Sequence, residues 1–315
     1  MKKKISIVIP CFNEDANIET TYKKIEQVLK KLSPYDFEYI IIDNGSTDKT
    51  KNIIKKLIKK DKRISGVFLS RNFGAEASAT ACYTYATGDA VIGIAADMQD
   101  PPELIPQFIK KWEQGNDIIF GIYTKAEDNV FITLLRKLFY KIFKSISNID
   151  VPVNATGFGL VSRKAVDAFL SLPEKFRFSR GLLAWVGFKR DYIYYKKNKR
   201  ERGKSSYNIF DYLHHSERGI FGFSYLVLDF MIYGGMAVVL LSFLFIIGYL
   251  YTVIVVGNPI KASIPTMLVI VFFGGIQLLA ISIIGKYIQV IVEETKNRPM
   301  YIVEETINVN EKKNK

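Results

Sequence analysis

Apolar and polar positions along the first 125 residues follow two alternating rhythms. Short runs that are apolar nearly throughout, namely KISIVIP, EYIIID, ISGVFL, AVIGIA and DIIFG, are separated by stretches in which apolar residues recur every three to four positions. A short continuous apolar run suits a strand buried on both faces, whereas three-four spacing suits a helix with one buried stripe. Helices are therefore predicted from Asn17, where Ile18, Tyr22, Ile25, Leu29 and Leu32 fall in line, and over KNIIKKLIKK, EASATACYTYAT and ELIPQFIKKW. Strand and helix taking turns four times predicts an α/β fold: a mostly parallel sheet with helices on both faces.

The last third is patterned differently. Phe230 to Gly257 is a run of 28 residues without a charge, and after the break at Gly257-Asn258-Pro259 a further 24 run from Ala262 to Gly285. Each exceeds the ~20 residues that cross a bilayer core as a helix. Lys and Arg crowd the flanks, from Lys196 to Lys204 and at Arg218 before the first run, and at Lys286, Lys296 and Arg298 after the second; only Lys261 lies between. By the positive-inside rule both ends face the cytoplasm, which predicts a multi-pass protein of the cell (inner) membrane. Ahead of these spans, VFITLLRKLFYKIFKSI places Phe131, Leu134, Leu135, Leu138, Ile142 and Phe143 on one helical stripe, flanked by Arg136, Lys137, Lys141 and Lys144. That pattern predicts an interfacial helix at about 129–147, lying on an anionic leaflet. A second surface helix is expected over Ser206–Phe223, where the adjacent His214 and His215 do not share a helix face and so make a poor metal pair. The expected organisation is a cytoplasmic domain over 1–205, a juxtamembrane helix over 206–229, spans at 230–257 and 262–285, and a cytoplasmic tail over 286–315.

Composition adjusts this picture only slightly. A chain of 315 residues with 49% apolar content can bury a large core. Its formal charge of +13 suits nucleic acid, anionic lipid or a polyphosphate substrate. The lysine-rich helix from Lys51 to Arg63 sets its charges opposite Ile53, Ile54, Leu57 and Ile58 with no aromatic interleaving, the pattern of a solvated face, so nucleic acid is not expected. The segment RERGKSS lacks phosphate-loop spacing. Cys11 and Cys82 form neither a disulfide framework nor a zinc pattern and are expected to be reduced packing residues. The opening MKKKISIVIP turns polar at CFNEDAN too soon for a signal peptide.

Candidate chemistry lies at the strand ends. In parallel sheets, ligands bind beyond the carboxyl ends of the strands. Here those ends carry CFNE (Cys11–Glu14), DNGSTD (Asp43–Asp48), SRNFG (Ser70–Gly74) and ADMQD (Ala96–Asp100), a convergence of carboxylates and amides. Oxygen ligands of this kind hold Mg²⁺ or Mn²⁺ beside a phosphate, and Asp97 and Gln99, two apart in a non-helical segment, can both reach one ion. A plainer reading leaves Asp97, Asp100 and Pro101 as a turn and helix cap, with Glu103 in the first helical turn.

The ordered set IPCFNE, IIDNGSTD, LSRNFG, ADMQDPPE, RGLLAWVGF, RERGKSSY, two spans and EETKNRPMYIV resembles the family 2 glycosyltransferases of GT-A fold. Within them it is most similar to the polyprenyl-phosphate branch, which includes bactoprenol glucosyltransferases and dolichol-phosphate mannose synthases. The resemblance implies inverting transfer of a sugar from a nucleotide donor, UDP-glucose or a related UDP-hexose, to the phosphate of undecaprenyl phosphate, for cell-envelope glycan modification. It implies a nucleotide-sugar site at Pro10, Phe12, Asn13, Glu14, Asp43, Arg71, Ala96 and Asp97. Asp97 and Gln99 would hold Mg²⁺ or Mn²⁺, while Arg200, catalytic with Asp97, would help neutralise the leaving diphosphate. Arg136, Arg202, Lys204, Ser205 and Tyr207 would meet the acceptor phosphate and lipid, with Gly203 matching the family's loop glycine. Soluble domains anchored on two spans often associate, so a homo-oligomer is compatible with this reading.

Several positions depart from the family pattern. Ala95 stands where an acidic pair would begin, Asn44 replaces an aspartate, Thr124 with Lys125 beside it replaces an arginine, and Gly157 occupies the position of the proposed catalytic base. A hydroxyl acceptor needs a base, which contributes roughly 10²–10⁴-fold. A phosphate monoester has a second pKa near ~6 and already presents a charged oxygen. Gly157 therefore favours a phosphate acceptor, with Asp100 or Asp150 as displaced bases if the acceptor is a hydroxyl. An unusual donor, or a degenerate homologue acting as a membrane scaffold, would also account for the departures. A processive polysaccharide synthase is disfavoured, because neither further spans nor a Gln-x-x-Arg-Trp segment occurs.

Overall fold

The computed structural model describes residues 2–32, 34–124, 152, 154–198, 222, 226–256 and 263–309. The predicted alternation is present: β1 (Lys3–Cys11), α1 (Ile18–Leu29), β2 (Tyr35–Asp43), α2 (Thr50–Lys60), β3 (Ile64–Leu69), α3 (Ala75–Tyr85), β4 (Ala90–Gly93), a 3₁₀ turn at Pro102–Leu104, α4 (Ile105–Glu113) and β5 (Ile118–Tyr123). Beyond it come β6 (Ala155–Ser162), α5 (Arg163–Ser171), α6 (Ser179–Trp185) and β7 (Arg190–Tyr195). Two long helices follow, α7 (Leu226–Tyr251) and α8 (Ser263–Thr295), and then β8 (Val303–Ile307).

All eight strands join one sheet in the order β7-β5-β6-β4-β1-β2-β3-β8. Strands β1 to β4 are mutually parallel where they pair, and β5 and β7 share their direction; β6 and β8 run against it. The carboxyl ends of six strands therefore open on one edge, and β6 and β8 begin there. Chain order reverses between β1 and β4, the kind of switch point at which open α/β sheets bind ligands.

Burial on both faces explains the unbroken apolar strands. Ile5, Ile7 and Ile9 of β1 meet α1 through Ile18, Ile25 and Leu29, α2 through Ile54 and Leu57, and α4 through Phe108. Val8, pointing the other way, joins a second layer with Ala81 and Cys82 of α3, Val166 and Phe169 of α5, and Leu182 and Leu183 of α6. Both cysteines are free and buried, as the sequence predicts.

Helices α7 and α8 are long and apolar enough to cross a membrane. Their surfaces are bare hydrocarbon: Phe230 is 77% exposed and Leu278 68%. Faces this apolar along their whole length suit the interior of a bilayer. Helix α8, 33 residues or about 50 Å long, does not stop where its charge-free run ends but continues to Thr295. The stretch expected to be a tail then returns to the sheet as β8, antiparallel to β3, with Val303 beside Leu69. The predicted helices at 129–147 and 206–223 lie outside the described residues, apart from Gly222 in helical conformation.

Candidate active site

The open edge is laced together by side chains from successive strand ends. After β1 the chain turns through Asn13, whose backbone lies in the left-handed region at φ 54°. Its N–H donates to Ser46 Oγ (2.9 Å) and its Oδ1 accepts from the Thr47 N–H (2.9 Å), which binds the β1 loop to the β2 loop. Glu14 is buried, accepts from Asn17 Nδ2 at 2.6 Å, and donates its N–H to Thr50 Oγ1 at 2.9 Å. Phe12 and Pro10 are half-buried on the same rim.

Asp43 ends β2 and is buried, with its Oδ1 accepting from the Ser46 N–H at 3.1 Å. Burial pushes its carboxyl above the usual range, against the pull of the Ser46 hydrogen bonds. Asn44 gives a physical reason for one departure from the family pattern. Its Nδ2 donates to Asn72 Oδ1 (3.0 Å) and to the Gly74 carbonyl (3.2 Å), while its Oδ1 accepts from the Phe73 N–H (3.0 Å). An ionised aspartate there could accept but not donate, so only the amide staples the β3–α3 loop. On that loop Arg71 is exposed and lies 4.1 Å from the Phe73 ring centroid.

The candidate metal segment follows β4. The Asp97 carboxylate is half-buried and accepts the Gln99 N–H at 3.2 Å, so both predicted ligands lie on one short loop. Between them Met98 has φ 60° and is 7% exposed, a left-handed turn that aims its side chain inward. Ala96 also faces inward and belongs to the core, with its carbonyl accepting from Thr21 Oγ1 at 2.8 Å. Its methyl group is therefore not the part of it that meets a donor. Among the described residues no three His, Cys, Asp or Glu side chains converge as a metal cage. One carboxylate and one amide oxygen are hard ligands in a sparse set, which fits Mg²⁺ or Mn²⁺ completing its shell with diphosphate oxygens and water.

Asp100, considered above as a displaced base, faces the interior instead. It is 5% exposed and accepts a 2.6 Å hydrogen bond from the Tyr195 hydroxyl. Burial pushes its carboxyl up, with the Tyr195 bond opposing and the Asp97 charge adding to the rise. Tyr195 and its partner Thr156, whose Oγ1 lies 3.1 Å from the Tyr195 hydroxyl, escaped sequence reasoning because β6 and β7 did not announce themselves. Gly157 follows Thr156 at the same edge, and a Cβ built on it meets nothing within 4 Å, so the position of the absent base is open space. Behind the loop, a cavity of about 30 Å³ touching Thr21, Met98 and Asp100 is too small for a sugar. Arg136, Asp150, Arg200, Arg202, Gly203, Lys204, Ser205 and Tyr207 lie outside the described residues.

Comparison with known proteins bears on this edge. Residues 6–170 match the model of glycosyl transferase family 2, a span from β1 through most of α5. The chain belongs to that family. This family 2 glycosyltransferase is 37% identical over 302 residues to the bactoprenol glucosyl transferase of Shigella phage SfX, covering 95% of this chain and 98% of that one. It is 36% identical over 304 residues to an uncharacterized glycosyltransferase of Synechocystis, covering 96% and 95%. Among solved structures, it overlaps glucosyl-3-phosphoglycerate synthase of Mycobacterium tuberculosis with a TM-score of 0.45 and 19% identity, over 70% of this chain and 78% of that one. The GT-A expectation of a mostly parallel α/β sheet with helices on both faces is met by the strand order and the two core layers described above.

Proposed function

We propose that the protein transfers a hexosyl group from a UDP-sugar, UDP-glucose or a close relative, to the phosphate of a membrane polyprenol, with inversion at the anomeric carbon. The observation that carries this reading is where the membrane helix meets the catalytic edge. Helix α8 hands the chain to β8 at that edge: the Ser70 N–H donates to the Ile302 carbonyl at 3.0 Å, one residue from Arg71. Near the end of α8, Glu294 accepts the backbone N–H groups of Lys175 (2.8 Å) and Phe176 (2.7 Å), just before α6. Ser179 of α6 in turn donates its N–H to Glu76 at 2.8 Å, in the first turn of α3. These contacts support a reading in which the donor loops open toward the bilayer, from which a lipid phosphate would be presented.

In this reaction an acceptor phosphate oxygen attacks C1 of the sugar, the bond from C1 to the diphosphate oxygen breaks, and UDP departs with that electron pair. One displacement inverts the centre. Asp43, Glu14 and the Asn13 turn shape the nucleoside pocket, and Asp97 and Gln99 would hold the Mg²⁺ or Mn²⁺. When bound, that ion supplies positive charge to the departing diphosphate. Open space at Gly157 accords with an acceptor that arrives already ionised. The positive flanks of the two spans support a cytoplasmic catalytic domain and cytoplasmic ends.

The test is a donor screen with purified protein, Mg²⁺ or Mn²⁺, undecaprenyl phosphate and a panel of UDP-, GDP- and CDP-sugars. Lipid-linked sugar from a UDP-hexose is expected, and Asp97→Ala should abolish metal-dependent turnover. No product from any donor, with no nucleotide bound by calorimetry, would leave a scaffold role in its place.

A further inference from the structure

The loop that presents Asp97 and Gln99 does not hold its shape unaided. Met98 is a side-chain-bearing residue at φ 60°, a conformation that persists only where neighbours over-determine it. Three ties reach the loop from outside. Thr21 Oγ1 donates to the Ala96 carbonyl at 2.8 Å. The Asn198 N–H donates to the Gln99 carbonyl at 2.9 Å. The Tyr195 hydroxyl donates to Asp100 at 2.6 Å. Two of the three thus come from one stretch of four residues at the end of β7, and Arg200 follows two residues later in the chain.

Tyr195 is itself fixed on every side. Its carbonyl accepts the Thr124 N–H at 2.8 Å, its ring packs edge-on against Phe158 at 5.5 Å between centroids, and its hydroxyl meets Thr156 Oγ1 at 3.1 Å. Thr156 Oγ1 also accepts the Phe158 N–H and reaches the Gly121 carbonyl. The ends of β5 and β7 and the start of β6 therefore form one rigid corner, and the Tyr195 hydroxyl carries that corner to the metal-ligand loop.

We infer that Tyr195 is a positioning residue: through Asp100 it sets the Asp97–Gln99 loop in register with the chain that leads into the basic segment. This rests on the metal-diphosphate reading above. Its consequence is that metal affinity and turnover depend on a phenol that touches neither metal nor sugar. Loss of that hydroxyl leaves the ring packing in place and frees the loop to relax away from the φ 60° turn.

The experiment uses the full-length protein in detergent, with Mn²⁺ binding followed by electron paramagnetic resonance in the presence of UDP, alongside turnover with undecaprenyl phosphate. Tyr195→Phe is expected to weaken Mn²⁺ binding about five- to twentyfold and to lower kcat about tenfold, with KM for the lipid unchanged within twofold. Thr156→Val removes the second partner of the hydroxyl but spares the Asp100 bond, and should stay within twofold of wild type in both assays. The inference is overturned if Tyr195→Phe lowers only the melting temperature, with Mn²⁺ affinity and kcat intact below it. An equal loss in Thr156→Val also overturns it, since the whole corner rather than the tie would then be responsible. Wild-type protein that binds no Mn²⁺ would overturn the functional reading and this inference with it, whereas normal wild-type binding with an unaffected Tyr195→Phe overturns the inference alone.

Discussion

Replacing Gly45 by alanine separates two effects that usually arrive together. Gly45 turns at φ +74°, where an alanine costs about 1–2 kcal/mol. A Cβ there would also lie 2.3 Å from the Arg71 carbonyl carbon and 2.6 Å from its Cα, both backbone atoms that cannot rotate aside. The β3–α3 loop must then retreat by about 1 Å, and overpacking of this kind costs about 1–3 kcal/mol. Gly115 is the natural control, because it has φ +83° but nothing within 4 Å of its built Cβ. Gly115→Ala should therefore lose about 1–2 kcal/mol and Gly45→Ala about 2–5. For a domain of this size that is a fall in Tm of roughly 5–15 °C for Gly45→Ala and a few degrees for Gly115→Ala. Because Asn44 ties the same two loops together, the retreat should also cost nucleotide affinity, at least tenfold by calorimetry with UDP, whereas Gly115→Ala binds as wild type. Equal Tm losses in the two variants, with equal nucleotide affinity, would refute the claim that the loops meet at a contact only glycine allows.

Three further outcomes are expected. Gly157→Asp should fold normally, with Tm within about 3 °C of wild type by thermal shift, and should change turnover on polyprenyl phosphate less than tenfold; a gain of 10²-fold or more would show that the acceptor does need a base. Glu38 is largely buried, which raises its pKa, but bonds from Lys4 (2.5 Å), Ser6 and the Thr87 N–H (2.7 Å) outweigh this and hold it below the usual range. A lowered folded pKa stabilises above the unfolded value of about 4.3 and loses that contribution as pH falls through the folded one, so Glu38→Gln should cost about 1–3 kcal/mol at pH 7 in denaturant melts and progressively less below pH ~4.3. Glu294→Ala removes the acceptor for Lys175 and Phe176 at the end of α8, and is expected to leave UDP affinity within twofold while turnover with the lipid acceptor falls about tenfold.

Much of the first half of the sheet is legible in the sequence because its physics is local. KISIVIP becomes β1 and EYIIID most of β2, since strands buried on both faces need apolar residues at every position. The rule that ligands gather at carboxyl ends then brings Glu14, Asp43 and Asp97 to one edge. The later strands, β6 to β8, obey longer-range constraints. Strand β6 reads ATGFGLVS, and Gly159 interrupts the apolar run because the backbones crowd there: a Cβ on it would lie 2.5 Å from the Ile119 carbonyl oxygen. Strand β7, RDYIYY, is an edge strand with mixed polarity, and β8, VEETI, pairs with residues more than 230 positions earlier. Tyr195 could not be found without those strands. Nor could the inward turn of Ala96, because a left-handed residue at Met98 leaves no signature in the composition.

The return of the chain as β8 has a consequence for how the protein is made. The edge of β3 that β8 covers, and to which Glu304 and Glu305 are clamped by Lys51 and Lys55, stays open until both long apolar helices have been synthesised. Translation at about 5–20 residues per second, over the more than 230 residues between the two strands, leaves that edge unpaired for roughly 10–50 seconds. Completion of the sheet thereby waits on both apolar helices: until β8 pairs, the chain displays an open β edge beside two bare apolar helices. A soluble fragment cut before the first span would carry the same defect permanently.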